Sequence, residues 1–182
     1  INEDHVRQKS FAILGEVYID LSEDTMATVG VRYNDDTVKD SVASCLTFFS
    51  CPRYPLSQKQ SGEYGFHPTQ VVETDDAIGY KLAIQHNLAD NQMVYASYTT
   101  ATKAGGNNPN STGTPDPYDQ EETGVFEIGT KSILLDGAML FNAAYFQNTT
   151  DGMLISSIVN AGSRNVNTDA EINGFEGNLL LF

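Results

Sequence analysis

The stretch VFEIGTKSILLDGAMLFNAAYF, residues 125–146, decides the fold. At its centre, Asp136-Gly137 is a dipeptide typical of a two-residue β-hairpin turn in which both central residues take positive φ. In the arm before the turn, Phe126 and Ile128 fall on one face of an extended chain, and charged residues fall on the other. The stretch therefore predicts a hairpin with one apolar face, which contacts either a protein core or another apolar medium.

The composition excludes several classes of protein. The chain has 182 residues, about one ordinary domain, and a formal net charge of −14, whereas a nucleic-acid partner would require a basic surface. No run in the sequence approaches the ~18 apolar residues of a membrane helix, and the first residues do not resemble a signal peptide. The sequence lacks Gly-x-Ser-x-Gly, phosphate-loop and His-Glu-x-x-His patterns, so no enzyme activity is predicted. Because of the acidic charge, no nucleic-acid partner is predicted either.

Alternation of apolar and polar residues, rich in β-branched and aromatic types, predicts an all-β chain. The seven predicted strands are residues 10–21, 26–34, 77–88, 93–101, 124–134, 138–148 and 171–182. Tight turns are predicted at 22–25, 89–92 and 135–137, and long links rich in turn-forming residues at 35–76, 102–123 and 149–170. All tight turns thus lie at one end of the sheet and all long loops at the other, as in up-and-down outer-membrane barrels.

Aromatic residues mark one level of the predicted sheet. On each strand, an apolar-face residue near the long-loop end is aromatic: Phe11, Tyr33, Tyr80, Tyr98, Phe126, Tyr145 and Phe175. Alternation alone also fits a soluble sheet with a solvated outer face, but a membrane interface collects amphipathic rings at headgroup depth. We therefore predict that the apolar face contacts lipid. Six charges then face a polar lumen: Glu16, Arg32, Lys81, Glu127, Lys131 and Glu176.

Four segments, in order along the chain, carry a family resemblance. FAILGEVYIDLSEDTMATVGVRYNDD (11–36) has a Phe-x-x-x-Gly-Glu strand, a turn and a Gly-x-Arg-Tyr strand, and MVYASYTTATKAGGNNPN (93–110) has a Tyr-Ala-Ser-Tyr strand before a Lys-x-Gly-Gly loop. YDQEETGVFEIGTKSILLDGAMLFNAAYF (118–146) has a Glu-x-Gly-x-Lys hairpin, and NAG (160–162) precedes INGFEGNLLL (172–181). Together they resemble the barrel of TonB-dependent receptors of the Gram-negative outer membrane.

The resemblance implies a fold and a function. It implies an antiparallel up-and-down transmembrane β-barrel, of which residues 1–182 supply about seven of 22 strands, with the plug domain and the TonB-contacting segment outside this chain. It also implies TonB-driven uptake of a bulky, scarce nutrient, most often a ferric siderophore, with outer-membrane lipid, TonB and a small-molecule ligand as partners. A carbohydrate or another nutrient is the alternative ligand. A secreted soluble β-sheet module that binds carbohydrate or acts in adhesion, and a passive porin-like channel, are the alternative functions.

Ligand recognition is expected in the long loops, because binding residues concentrate on loops carried by a rigid scaffold. Cations and aromatic rings suit a negatively charged ferric chelate with catechol-like rings, whereas aromatics with Asn would equally suit a sugar. The candidate ligand-binding residues are Arg53, Tyr54, Tyr64, His67, Lys103, Asn107, Asn108 and Tyr118.

The first long link carries the only two cysteines of the sequence, Cys45 and Cys51. They either close a small loop disulfide in an oxidising compartment or stay free thiols, and with His67 alone they are too few for a metal site. No cofactor is predicted. The acidic pairs at strand–loop junctions, Asp35-Asp36 and Glu121-Glu122, either hold a structural Ca²⁺ weakly or remain solvated.

Overall fold

A computed structural model describes residues 2–44, 69–108, 116–159 and 162–182, which form one seven-stranded antiparallel sheet and a two-stranded ribbon. The strands are β1 (Asn2–Asp20), β2 (Thr25–Ser44), β3 (Thr69–Ala89), β4 (Gln92–Lys103), β5 (Gly106–Asn107), β6 (Pro117–Tyr118), β7 (Glu121–Leu134), β8 (Met139–Val159) and β9 (Gly162–Leu181). The sheet order is β1-β2-β3-β4-β7-β8-β9, and β5 pairs with β6. This up-and-down arrangement confirms the predicted all-β class. No helix in the described part of the chain is long and apolar enough to cross a membrane.

The seven long strands lie where they were predicted, but most extend further toward the long loops. β2 runs to Ser44, β8 runs to Val159, and β9 begins at Gly162. The prediction of an irregular link over 149–170 was therefore wrong, since most of these residues pair across β8 and β9 with one irregularity between Thr150 and Met153. These extensions lack the regular apolar alternation that reveals a strand, because β2 and β9 are mostly polar there and β8 carries consecutive apolar residues at 153–155.

The hairpin turn between β7 and β8 has the predicted positive φ at Asp136 and Gly137, but the loop is longer than the predicted two residues, because the last strand pair is Leu134 with Met139. Asp136 has φ 55° and ψ 36°, Gly137 has φ 94°, and the Ala138 N–H donates to the Leu135 carbonyl at 3.0 Å. Positive φ at both central residues gives the expected primed turn, whose twist matches that of the flanking strands. Leu135 also has positive φ, at 54°, so the left-handed segment begins one residue earlier than predicted.

The apolar face of the sheet has no second layer among the described residues. Val29 is 39% exposed, Ile84 46%, Phe141 37% and Leu179 58%, and within that part of the chain Ala144 is the only hydrophobic residue that is buried. A soluble sheet buries such a face against another layer of secondary structure. The described sheet instead presents its large apolar side chains outward, and we call this the outward face.

The register supports a common height for the seven aromatic residues. Tyr98 pairs directly with Phe126, and Tyr145 with Phe175; at the other four strand boundaries the aromatic row moves two residues toward the tight turns. The aromatic row thus moves about eight residues along the strands while it crosses six strand boundaries, which is about 4.4 Å along the strand at each boundary. Because neighbouring strands are ~4.8 Å apart, the row is inclined by about 40°. Because transmembrane strands tilt by about 35–45°, a barrel wall with this tilt carries the rings at one level.

Candidate functional site

The polar face of the sheet carries all six charges predicted to face a lumen. Cross-strand pairing places Glu16, Arg32 and Lys81 on this face over the first three strands. The same register continues through β4 and brings Glu127, Lys131 and Glu176 to that face. We call this the lumen face.

An ion pair crosses a whole strand on the lumen face. Lys81 Nζ of β3 lies 3.2 Å from Glu16 Oε1 and 3.4 Å from Oε2 of β1, although β2 lies between the two strands. Gly30 of β2 pairs with both residues, and a Cβ there would lie 3.4 Å from Glu16 Oε2 and from Lys81 Cβ. The bare backbone at Gly30 therefore gives the two side chains a direct path to each other.

A polar hollow of about 490 Å³ lies on the lumen face across β4, β7, β8 and β9. Tyr95 Oη donates to Glu127 Oε1 at 2.6 Å, and Lys131 Nζ lies 5.4 Å from the centroid of the Tyr95 ring, a cation–π distance. The hollow is also lined by Asn142, Glu176 and Asn178. Carboxylate, amide and ammonium groups together make this a hydrogen-bonding surface rather than an apolar pocket.

At the loop end, Asn107 and Asn108 are buried and hydrogen-bonded. Asn107 Nδ2 donates to the Asn108 carbonyl at 3.1 Å, and the Asp116 N–H donates to Asn107 Oδ1 at 2.8 Å. Asn108 Nδ2 donates to the Asn165 carbonyl at 2.9 Å, and the Asn165 N–H donates to Asn108 Oδ1 at 2.7 Å. Asn108 is only 2% exposed. Both amide groups therefore fasten the β4–β7 connection to itself and to β9.

Two further contacts attach the same connection to β9. Arg164 donates to both carboxylate oxygens of Asp116, at 2.8 and 2.5 Å, and these bonds raise the pKa of the Arg164 guanidinium above its ordinary value. Asn167 accepts from the Asp119 N–H at 2.9 Å and donates to the Asp119 carbonyl at 3.0 Å. We call the set Asn108, Asp116, Asp119, Arg164, Asn165 and Asn167 the β9 clasp.

The sequence analysis singled out Asn108 but missed the rest of the β9 clasp. Arg164, Asn165 and Asn167 lie in the segment predicted as a link, and their partners lie 48 to 57 residues away. One signal was present, since Arg164 is the only cation between Lys131 and the end of the sequence.

Lys103 begins the Lys-x-Gly-Gly loop, and Tyr118 lies against the glycines of this loop. Lys103 Nζ lies 2.5 Å from Glu121 Oε1 and is 66% exposed. The Gly105 N–H donates to Asp75 Oδ2 at 2.8 Å, and a Cβ on Gly105 would lie 2.5 Å from the Tyr118 carbonyl oxygen. Glycine is therefore required at position 105 for the loop to close against Tyr118.

The remaining candidates lie outside the described residues. They are the ligand-binding candidates Arg53, Tyr54, Tyr64 and His67, and the cysteines Cys45 and Cys51. Within the described segments, no group of three or more His, Cys, Asp or Glu side chains could hold a metal ion. The structural Ca²⁺ in the loops stays a prediction.

Comparisons with known proteins agree with this geometry. The family model described as "TonB dependent receptor-like, beta-barrel" matches residues 1–181. The structure resembles the ferric yersiniabactin uptake receptor FyuA from Yersinia pestis, with a TM-score of 0.76, 18% identity and coverage of 98% of this chain and 25% of that chain. No curated protein matches the sequence.

Two further solved structures are similar over nearly the whole chain. The siderophore receptor PiuA from Acinetobacter baumannii has a TM-score of 0.64 and 20% identity, with coverage of 98% of this chain and 23% of that chain. The copper transporter OprC has a TM-score of 0.68 and 17% identity, with coverage of 96% and 26%. The chain thus spans about a quarter of the length of the receptors it matches.

Proposed function

Because the chain belongs to the TonB-dependent receptor β-barrel family, we propose that it forms part of the wall of an outer-membrane receptor that imports a scarce, bulky nutrient. The family match over residues 1–181 carries this proposal. Proteins of this family are transporters rather than enzymes, and their β-barrels lie in the outer membrane of Gram-negative bacteria. The membership also favours a transporter over the soluble module considered as an alternative.

The two faces of the sheet support a position in a membrane wall. The outward face presents large exposed apolar side chains below a row of aromatics, whereas the lumen face carries ion pairs and polar hollows. β1 and β9 form the edges of the described sheet, and unpaired edges are not tolerated in hydrocarbon. We propose that further strands of a longer polypeptide, 22 in all, complete the barrel, and that its plug and TonB-contacting segment lie outside residues 1–182.

The proposed ligand is a ferric siderophore. Uptake receptors for such complexes are among the similar structures, and a copper transporter is also among them, so the ligand class depends on the loops. Lys103 is largely exposed at the loop end, where an anionic ligand can approach it. We propose that Tyr118 contacts the same ligand. Asn107 and Asn108 already use their amide groups in the fold, so we expect them to shape the loop that meets the ligand.

Transport measurements on the intact receptor that contains this chain test the proposal. The receptor is expressed in two Gram-negative hosts that lack their own siderophore receptors, one with and one without functional TonB. Uptake of radioactive iron from a panel of ferric catecholate and hydroxamate chelates is measured, with copper and labelled oligosaccharides as alternative cargoes. We expect TonB-dependent uptake of at least one ferric chelate.

Each of the other outcomes of this experiment would contradict a different part of the proposed function. TonB-dependent uptake of copper or oligosaccharide alone would replace the ligand and keep the transporter. Uptake that does not require TonB would indicate a passive channel. Recovery of the intact protein in the soluble fraction would contradict the membrane location itself.

A further inference from the structure

Among the residues whose side chains the structure describes, positive charge on the outward face is confined to two strands. The structure describes the side chains of eight Lys and Arg residues, and the strand register places five of them on the lumen side of the sheet: Arg32, Lys81, Lys103, Lys131 and Arg164. The other three are outward and lie together on β1 and β2: Arg7, Lys9 and Lys39. We call these three the basic rim.

The basic rim lies just beyond the aromatic row on the loop side. Lys9 and Arg7 follow Phe11 on the same face of β1, two and four residues nearer the loops, and Lys39 pairs directly with Arg7. At a tilt of about 40°, these steps raise Lys9 about 5 Å and Arg7 about 10 Å above the Phe11 ring. The headgroup layer on each side of a bilayer is about 5–7 Å thick, so Lys9 lies within this layer, and Arg7 and Lys39 lie just above it, where their long side chains can reach back toward the headgroups.

The local arrangement favours an external anion. Arg7 and Lys39 are exposed and directly opposed across β1 and β2, and like charges at such positions destabilise a sheet. Among the described side chains on this face, the nearest acid is Asp35, which pairs with Phe11 and therefore lies diagonal to Lys9 but four residues from Lys39. Elsewhere the outward face above the aromatic row carries acids only, among the described charged residues: Asp76, Glu122, Asp151, Asp169 and Glu171.

We propose that the basic rim binds the phosphate groups of anionic lipid headgroups in the outer leaflet. Charge complementarity identifies this occupant, because the cations of an otherwise acidic outward surface converge at headgroup depth. Arg7 can donate two parallel hydrogen bonds to a phosphate, and Lys9 and Lys39 add point charges. The inference depends on the proposed function only in requiring that the outward face contacts the bilayer.

Native mass spectrometry of the intact receptor in non-ionic detergent tests the inference. Phosphatidylglycerol and phosphatidylcholine with identical acyl chains are titrated separately, and bound lipids are counted. A Lys or Arg near an anionic membrane surface strengthens binding about fivefold, so Arg7→Gln should weaken phosphatidylglycerol binding about fivefold. The triple variant Arg7→Gln/Lys9→Gln/Lys39→Gln should abolish the preference for phosphatidylglycerol.

A matched control removes the same charge from the opposite face. Lys131→Gln should leave the phosphatidylglycerol preference unchanged, because Lys131 lies on the lumen face. Unchanged phosphatidylcholine binding by the triple variant would show that the barrel still folds. The inference is overturned if the triple variant retains the preference, if Lys131→Gln reduces it equally, or if inorganic phosphate alone saturates the basic rim of the wild type.

The two proposals fail in different ways. An intact receptor that does not enter lipid vesicles would contradict the proposed function. A receptor that enters vesicles but binds both lipids equally would contradict only the lipid site.

Discussion

At the scale of single residues, glycine on the lumen face makes room for side chains that cross between strands. A Cβ on Gly129 would lie 2.7 Å from the Ala143 carbonyl oxygen and 2.8 Å from the Tyr95 ring. The Tyr95 ring, hydrogen-bonded to Glu127, occupies the space that a side chain at 129 would need. The polar hollow therefore depends on a missing side chain as well as on its polar groups.

We predict that Gly129→Ala destabilises the folded barrel by about 1–3 kcal/mol, the usual penalty for overpacking. Tyr95 would have to move, and its 2.6 Å hydrogen bond to Glu127 would lengthen or break. Urea unfolding of the intact receptor in detergent measures the change in the free energy of unfolding. Gly15→Ala is the control, because a Cβ at Gly15 would meet nothing within 4 Å. Equal effects of the two substitutions would contradict the steric explanation.

At the scale of structural elements, the β9 clasp holds the β4–β7 connection against the sheet. Its bonds join residues 116 and 119 to residues 164 and 167, far apart in sequence and beyond the aromatic row. Asn108 provides the buried part of this attachment, and the Arg164–Asp116 pair provides the exposed part. The described parts of the connection, residues 104–108 and 116–120, are therefore hydrogen-bonded to the sheet.

Arg164→Gln should loosen this element without unfolding the sheet. The substitution leaves Asp116 without its bidentate partner, so we expect amide hydrogen exchange to rise in residues 105–108 and 116–119 and to stay unchanged in β3. Because the Arg164 side chain is half exposed, solvent screens the pair, and we expect a local loss of protection rather than a lower stability of the sheet. The charge swap Asp116→Arg/Arg164→Asp should restore part of the protection. Unchanged exchange in the single variant would show that the ion pair does not hold the connection.

The two faces of each strand should differ in their tolerance of charge. Ala96 faces outward beside Ile84 and Ile128, whereas Ser97, the next residue of β4, faces the lumen beside Glu127. Arg on the lipid face near the bilayer midplane costs about 2–4 kcal/mol. Ala96 lies about 5 Å below Tyr98, between the interface, where the cost is about 0–1 kcal/mol, and the midplane, so we predict that Ala96→Arg lowers the free energy of unfolding by about 1–2 kcal/mol and that Ser97→Arg has little effect. Equal losses at both positions, measured by urea unfolding in lipid vesicles, would contradict the assignment of faces.

The sequence predicted the seven strands because each has one apolar and one polar face, and the alternation of the two faces gives the sequence a two-residue period. It also predicted the turn at Asp136-Gly137, because few dipeptides accept two successive positive φ values. It did not predict the outer parts of β2, β8 and β9, where the two-residue period disappears because β2 and β9 are mostly polar and β8 has consecutive apolar residues at 153–155. The β9 clasp was missed for a different reason. Asn and Arg suit loops and strands alike, and only the folded chain brings Asn108 to Asn165.

At the scale of the whole molecule, the distribution of charge agrees with a wall between lipid and a polar lumen. Most described cations lie on the lumen side, where Glu16 pairs with Lys81 and Tyr95 bonds to Glu127. The remaining cations form the basic rim at the level of the headgroups. The six lumen charges balance, three acidic and three basic, and the excess of acidic residues lies toward the two ends of the strands, so the apolar band of the described outward face is free of charge.

Site-directed spin labelling of the intact receptor in phospholipid vesicles tests the central claim most directly. Single nitroxides are placed at outward positions 29, 84, 141 and 179 and at lumen positions 83, 142 and 178, and their collision rates with oxygen and with a water-soluble nickel chelate are compared. We expect the outward labels to favour oxygen strongly, as in hydrocarbon, and the lumen labels to favour the nickel chelate. Labels at 29, 84, 141 and 179 that are as accessible to the nickel chelate as the lumen labels would contradict the account.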